Sequence, residues 1–328
     1  MFLLYSYAAD ALILSIFLLL FYGGCTVAVA KNATFPSLLV FGDSIVDTGN
    51  NNYIPTIIKC DFEPYGRDFQ GGKPTGRFSN GKVPSDIAAE IYGIKELLPP
   101  YLDPYLQLED LLTGVSFASG GAGYDPLTAK VVSVLSLTDQ LKLDDIVNTY
   151  YATMLRSFEY DIDSYTNLTV SYGAQFFQEL YRLGARRVLV LGVPMLGCIP
   201  IQRTLGGGPR RVCADKQNHA ALLFNSKLSS QIASIKNNLP EFKIVYFDTY
   251  YPLLYILQNA EKLGFEVANR GCCGTGNIEV SILCTRLHDL ETCKDASKFV
   301  FWDSYHPTEK TYRILTNMVF NEHPQELL

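Results

Sequence analysis

Several things are scarce in this chain of 328 residues, and each shortage removes a class of function. There is no dense run of lysine or arginine and the formal net charge is −6, so the basic footprint of a nucleic-acid binder is missing. Histidines number only four, and the cysteines form no paired C-x-x-C, which leaves a zinc site without its usual ligand spacing. No internal repeat or low-complexity linker is visible, so one domain is expected rather than two. Gly206-Gly207-Gly208 is followed by neither Lys-Ser nor Lys-Thr and is no phosphate loop; it reads as a flexible tip. What is abundant is apolar: 48% hydrophobic against 18% charged residues, a balance that packs a core and argues against disorder.

The one long apolar run, Ala11 to Tyr22, is too short for a comfortable membrane span. Small residues follow it, and Ala28-Val29-Ala30 fits an A-x-A cleavage site, so residues 1–30 read as a signal peptide and 31–328 as the mature domain. The n-region has no lysine or arginine and carries Asp10, which keeps a signal anchor as the alternative. A secreted, extracellular protein is expected, with sequons at Asn32 and Asn167 as glycosylation candidates. Removing Cys25 leaves Cys60, Cys198, Cys213, Cys272, Cys273, Cys284 and Cys293. An odd number leaves one free or intermolecular; Cys198 with Cys213 is the natural local pair, and the 272–293 cluster has room for one or two more bridges.

Periodicity places a helix over Pro84–Ile91, a short strand over Gly114–Ala118 and a helix over Tyr172–Leu183 that stops at Gly184. A strand over Arg187–Val193, a long helix over Ala214–Leu239, a strand over Lys243–Asp248 and helices over Pro252–Ala260 and Thr308–Phe320 follow. Strands alternating with helices predict a parallel sheet covered on both faces.

The chemistry concentrates at two places. Leu38-Leu39-Val40-Phe41 reads as a buried strand that runs into Gly42-Asp43-Ser44-Ile45-Val46-Asp47-Thr48-Gly49-Asn50-Asn51-Asn52. This puts the Ser44 hydroxyl at a strand's carboxyl edge, where open α/β sheets hold their ligands. Near the other end, Asp303-Ser304-Tyr305-His306-Pro307 sets an acid and an imidazole three residues apart. Together these supply a nucleophile, a base and an orienting carboxylate. Asp43 and Asp47 lack a nearby histidine and read as hydrogen-bond acceptors in the turn rather than a metal pair, so no metal or cofactor is expected.

With Gly76-Arg77-Phe78-Ser79-Asn80-Gly81, Phe117-Ala118-Ser119-Gly120-Gly121-Ala122-Gly123, Gly271-Cys272-Cys273-Gly274 and Phe301-Trp302-Asp303, these blocks resemble the plant GDSL esterase/lipases of the SGNH hydrolase superfamily. The chain is most similar to their extracellular lipase subgroup. The resemblance implies a three-layer α/β/α sandwich of the flavodoxin-like SGNH type and a triad of Ser44, Asp303 and His306. It also implies an oxyanion hole built from the N–H of Ser44, the N–H of Gly121 (or Gly120) and an Asn side chain.

At that Asn the chain departs from the pattern. Relatives carry a Gly-x-Asn-Asp block, and the register that keeps Asp145-Ile146 in place here puts Asp144 at the Asn position. An ionised Asp only accepts hydrogen bonds and repels an oxyanion. Asn148 is a candidate replacement donor, though nothing in the spacing demands it. About 30 to 40 residues, one central strand and one helix in a unit of this kind, are expected to be missing. The β-prone run Val131–Leu137 is a candidate to fill the gap.

The expected function is a secreted serine esterase/lipase acting on a lipid or an acylated cell-wall component, with no stable membrane span after signal removal. The altered block keeps two alternatives open: a catalytically impaired family member that binds lipid, glycan or protein, and an acyltransferase on cell-wall or cutin-like esters.

Overall fold

Local signals decide where the helices fall. In the computed structural model, which describes residues 35–69, 71–142, 159–285 and 291–322, helix α1 spans Pro84–Ile91. Pro84 opens it, and Asp86 accepts the Val83 N–H to close the first turn. Three short helices follow: α2 (Leu108–Thr113), α3 (Pro126–Val131) and α4 (Leu137–Lys142). Helix α5 (Ile162–Arg182) is capped by the Asp161 carboxylate, which accepts the Ser164 N–H, and stops at Gly184.

Strand β1 (Arg187–Leu191) leads through α6 (Pro200–Gly206) and the 24-residue α7 (Asp215–Asn238) to β2 (Lys243–Phe247). The two strands pair in parallel, Arg187 opposite Lys243 and Leu191 opposite Phe247. Helix α8 (Tyr250–Gln258) precedes β3 (Val267–Gly271), which pairs in parallel with β4 (Phe299–Phe301) before α9 (Glu309–Glu322). The largest core cluster packs Val170, Ala174, Phe177 and Leu180 of α5 against Phe224, Leu228, Ile232 and Ile235 of α7, over Val190 and Ile244 of the β1–β2 pair.

The parallel α/β pattern is thus present, but it is interrupted. Among the described residues the four named strands form two separate pairs rather than one continuous sheet. The run before Ser44 makes a single parallel bridge, Val40 to Ser116, supported by Val40 N–H to Val115 C=O and Phe117 N–H to Val40 C=O. It is not a buried strand: Leu39 is 52% exposed. The expected strand at Gly114–Ala118 is likewise reduced to bridges from Ser116 to Val40 and Pro100. Val131–Leu137 fills no gap in a sheet, because it closes α3, turns at Ser133 with φ 55° and enters α4.

Helix α5 begins ten residues earlier than periodicity suggested, which puts Asn167 on its exposed face. Gly206 ends α6 rather than forming a free tip. Cystines join Cys198 to Cys213, Cys272 to Cys293 and Cys273 to Cys284, and Cys60 is a buried free thiol. The signal segment 1–30, Asn32, Asp144 and Asn148 lie outside the described residues. No described helix is long and apolar enough to cross a membrane.

Candidate active site

The Ser44 turn is built by its neighbours. The Asp43 carbonyl accepts the N–H groups of Val46 (3.2 Å) and Asp47 (3.0 Å), and the Asp43 carboxylate accepts that of Ile45 (3.0 Å). Burial pushes the Asp43 carboxyl up, and the Ile45 N–H opposes the shift. The N–H of Ser44 itself is left with no acceptor among the described residues. Gly42 is held from outside: its N–H donates to Gln140 Oε1, and Gln140 Nε2 donates back to its carbonyl, both at 2.9 Å.

The opposing loop leaves β4 and doubles back, with Trp302 N–H donating to the His306 carbonyl at 2.7 Å and Phe301 bridging Pro307. Asp303 Oδ1 accepts the N–H groups of Tyr305 (2.8 Å) and His306 (2.6 Å), which fixes its rotamer. Its Oδ2 lies 2.8 Å from His306 Nδ1, and His306 Nε2 lies 2.8 Å from Ser44 Oγ. A carboxylate can only accept, so Nδ1 carries the proton and the lone pair of Nε2 faces the hydroxyl. All three side chains are nearly out of solvent, Ser44 the most accessible at 8%. No group of three or more His, Cys, Asp or Glu among the described residues is arranged to hold a metal.

The glycine loop supplies the facing backbone. Asp47 Oδ1 accepts from Gly49 (2.7 Å) and Asn50 (2.8 Å), while Oδ2 accepts the N–H of Gly120 at 2.9 Å. Burial lifts this carboxyl to about 6, with the three N–H groups and the Arg77 charge pulling the other way. Gly120 is therefore already engaged, and the N–H of Gly121 is the one left without an acceptor among the described residues. Gly121 has φ +92°, and a Cβ there would meet Val132 at 2.9 Å. The asparagine run stitches the two loops: Asn50 Nδ2 donates to Ser116 and Ala118, and Asn51 Nδ2 to Gly120.

The Gly76–Gly81 block braces the base. Phe78 packs on His306 with ring centroids 5.1 Å apart, Ser79 Oγ donates to the Pro307 carbonyl, and Asn80 Oδ1 accepts the Glu309 N–H. Arg77 forms a buried bidentate pair with Asp86, both contacts at 2.7 Å, and also donates to the Thr48 and Leu98 carbonyls.

This arrangement of serine, imidazole and carboxylate is that of an acyl-transfer triad. Residues 38–319 match the family model described as GDSL-like Lipase/Acylhydrolase. The chain belongs to that family. It is 51% identical to GDSL esterase/lipase EXL3 of Arabidopsis thaliana, with 88% of this chain and 87% of that relative covered. GDSL esterase/lipase At3g14820 of the same plant is 48% identical, with 90% and 92% covered.

The alignments also measure the departure from the family pattern. With EXL3 the alignment runs over 319 positions, whereas 88% of 328 residues is about 289, so about 30 positions of that relative face no residue here. With At3g14820 the figures are 327 positions and about 295 residues, again a difference of about 30.

Ser44 and His306, 262 positions apart in sequence, meet in this GDSL fold. Asp144, which the motif register is expected to put at the family's oxyanion Asn, lies outside the described residues. Gln140, Tyr65 and the Asn50–Asn51 pair were not singled out by sequence reasoning. The asparagine run was visible, but nothing in sequence showed that its amides reach the glycine loop.

Proposed function

We propose that this GDSL family member hydrolyses carboxylic esters through an acyl-enzyme on Ser44. The observation that carries the reading is the continuous contact from Asp303 through His306 to Ser44; the N–H groups of Ser44 and Gly121, which have no acceptor among the described residues, are the proposed oxyanion donors. In the first step Ser44 Oγ attacks the ester carbonyl carbon while its proton passes to His306 Nε2. The carbonyl oxygen becomes an oxyanion between the two N–H donors, and Asp303 stabilises the imidazolium. Collapse breaks the bond to the alkoxy group, which leaves as an alcohol with the proton from Nε2. Water then attacks the acyl-serine, giving its proton to Nε2, and a second collapse releases the acid and returns the proton to Ser44.

With Asp144 in place of the amide donor, the hole rests on two backbone donors, each worth on the order of 3 kcal/mol of transition-state stabilisation. A modest rate on small activated esters is the consequence. The substrate class is an ester of a lipid or an acylated cell-wall component, and the site of action is extracellular. The leader-like segment 1–30 and three cystines among the described residues support secretion. Asn32 and Asn167 are the proposed glycan acceptors.

Turnover of a short-chain p-nitrophenyl ester by the purified protein, beside its Ser44→Ala variant, tests the reading. Serine-dependent turnover is expected. Equal rates in both proteins would overturn it. The shortfall of about 30 aligned positions favours a second reading, a non-catalytic binder. A folded protein without turnover that binds lipid or glycan equally well with and without Ser44 would establish that one.

A further inference from the structure

Tyr65 lies in the segment between the serine turn and the Gly76–Gly81 block, and its side chain is fully buried. The hydroxyl stands 2.7 Å from Asp303 Oδ2 and 2.8 Å from the backbone nitrogen of Ser281. The Ser281 N–H can only donate, so the phenol oxygen accepts there and directs its own hydrogen to Asp303. Burial and the neighbouring Asp303 charge hold the phenol proton on at every working pH.

We propose that Tyr65 is a positioning residue that shares the Asp303 charge with His306 and thereby sets the proton affinity of the imidazole facing Ser44. This rests on the esterase reading above.

The argument is one of donor supply. Asp303 is wholly buried, and its only salt-bridge partner among the described residues is His306; no lysine or arginine pairs with it. Four donors hold its charge: the N–H groups of Tyr305 and His306 on Oδ1, and His306 Nδ1 and Tyr65 on Oδ2. Three of them belong to the aspartate's own loop, and Tyr65 alone reaches in from another part of the chain. Without it Oδ2 has one donor left, its negative charge falls more fully on Nδ1–H, and the imidazole binds its proton more tightly.

The other ionisable groups facing this pair are Asp43 from the serine turn, Cys60 from the segment before Tyr65, and Tyr305 and Tyr312 from the loop and α9. Cys60 is itself hydrogen-bonded to Tyr65, but burial pushes its thiol pKa well up and keeps it neutral, so it brings no charge to the pair when Tyr65 is changed.

Two variants bracket the effect: Tyr65→Phe removes the donor, and site-specific fluorotyrosine at 65 makes it stronger with little change in size. His306 titration, followed by NMR and assigned by its loss in His306→Gln, reads the effect without needing turnover. In Tyr65→Phe the titration midpoint rises by about half to one pH unit, and fluorotyrosine lowers it. The acid limb of kcat/KM moves in step, so kcat/KM at pH 6 falls about 3- to 10-fold in Tyr65→Phe with KM nearly unchanged.

An unmoved midpoint in the fluorotyrosine protein would overturn the proposal, even if Tyr65→Phe failed to fold. A melting-temperature loss with an unmoved His306 midpoint in Tyr65→Phe would reduce Tyr65 to a packing residue. Absence of ester turnover, in contrast, defeats the esterase reading and leaves the titration result standing.

Discussion

The side-chain amide of Gln140 makes with the backbone of Gly42 the two hydrogen bonds that a neighbouring strand would make, each 2.9 Å long. Asn225 does the same to Val193, just past β1, with both contacts at 2.8 Å. Side-chain amides thus complete backbone pairing at two chain segments whose neighbouring sheet is interrupted. The Gly42 carbonyl also accepts the Ser119 N–H at 3.0 Å, so it is the Gly42 N–H that depends on the buried Gln140.

Gln140→Ala is accordingly expected to cost about 1 to 3 kcal/mol of stability by stranding the Gly42 N–H. Because Gly42 precedes Ser44 by only two residues, kcat falls about tenfold as the hydroxyl loses its aim. Urea denaturation and ester turnover on the same preparation check both parts. Unchanged turnover with lowered stability would separate the clamp from the serine.

The Asp47 carboxyl gives a pH-dependent stability. Its folded-state pKa is raised from an ordinary 3.8 to about 6 by burial, so the folded protein favours the protonated form. That contribution is fully present below about pH 3.8 and is lost as the pH rises through about 6, amounting to roughly 3 kcal/mol. Asp47→Asn removes it. The stability of the wild type relative to this variant should therefore fall between pH 4 and pH 7 and stay level above that. Denaturation curves at four pH values measure it, and a constant difference would contradict it.

The two glycines of the oxyanion loop should fail for different reasons. In Gly120→Ala the new Cβ meets the Phe78 ring at 2.5 Å, and that ring is the one packed on His306. In Gly121→Ala the backbone at φ +92° is strained and its N–H is displaced. Each variant is expected to lose about 100-fold in kcat, the order of one oxyanion donor or a misaligned base. For Gly120→Ala a smaller, ringless side chain, Phe78→Leu, should restore part of the rate; it should not do so for Gly121→Ala.

Arg77 and Asp86 form a deeply buried ion pair, 5% and 0% exposed. Asp86→Ala leaves a buried guanidinium without its carboxylate and is expected to cost about 3 to 5 kcal/mol. Arg77→Lys should destabilise too, because one ammonium cannot span the carboxylate, the Thr48 carbonyl and the Leu98 carbonyl together. Thermal melts of the two variants decide it.

How much of this was legible in the sequence varied with the kind of signal. Helix α1 and the elements β1, α7, β2 and α8 fell within a few residues of their expected bounds, because long apolar periods and prolines mark them, whereas α6 was not foreseen. Strand β3 was not foreseen, since Asn269 and Arg270 are exposed and break any apolar run. The first half of α5 was missed because its Thr, Asn and Ser residues mask helical spacing, although the Asp161 cap was there to be read. The runs around Val40 and Ser116 have strand composition, yet they make only bridges, and pairing depends on neighbours that local sequence does not contain. Ser44, Asp303 and His306 stood out through their blocks. Tyr65 did not, because its contact joins residues 238 positions apart and exists only once the chain is folded.

The chain contains one tryptophan, and it is the residue immediately before Asp303. Trp302 is fully buried, with the Arg67 guanidinium 4.9 Å from its ring centre and the Tyr65 ring 6.2 Å away. Indole emission from this protein therefore has a single origin, directly behind the aspartate. A red shift or a gain in quencher access marks the moment when water reaches the back of Asp303. Nature has in effect placed one lamp in the molecule, and it illuminates the wall on which His306 is mounted.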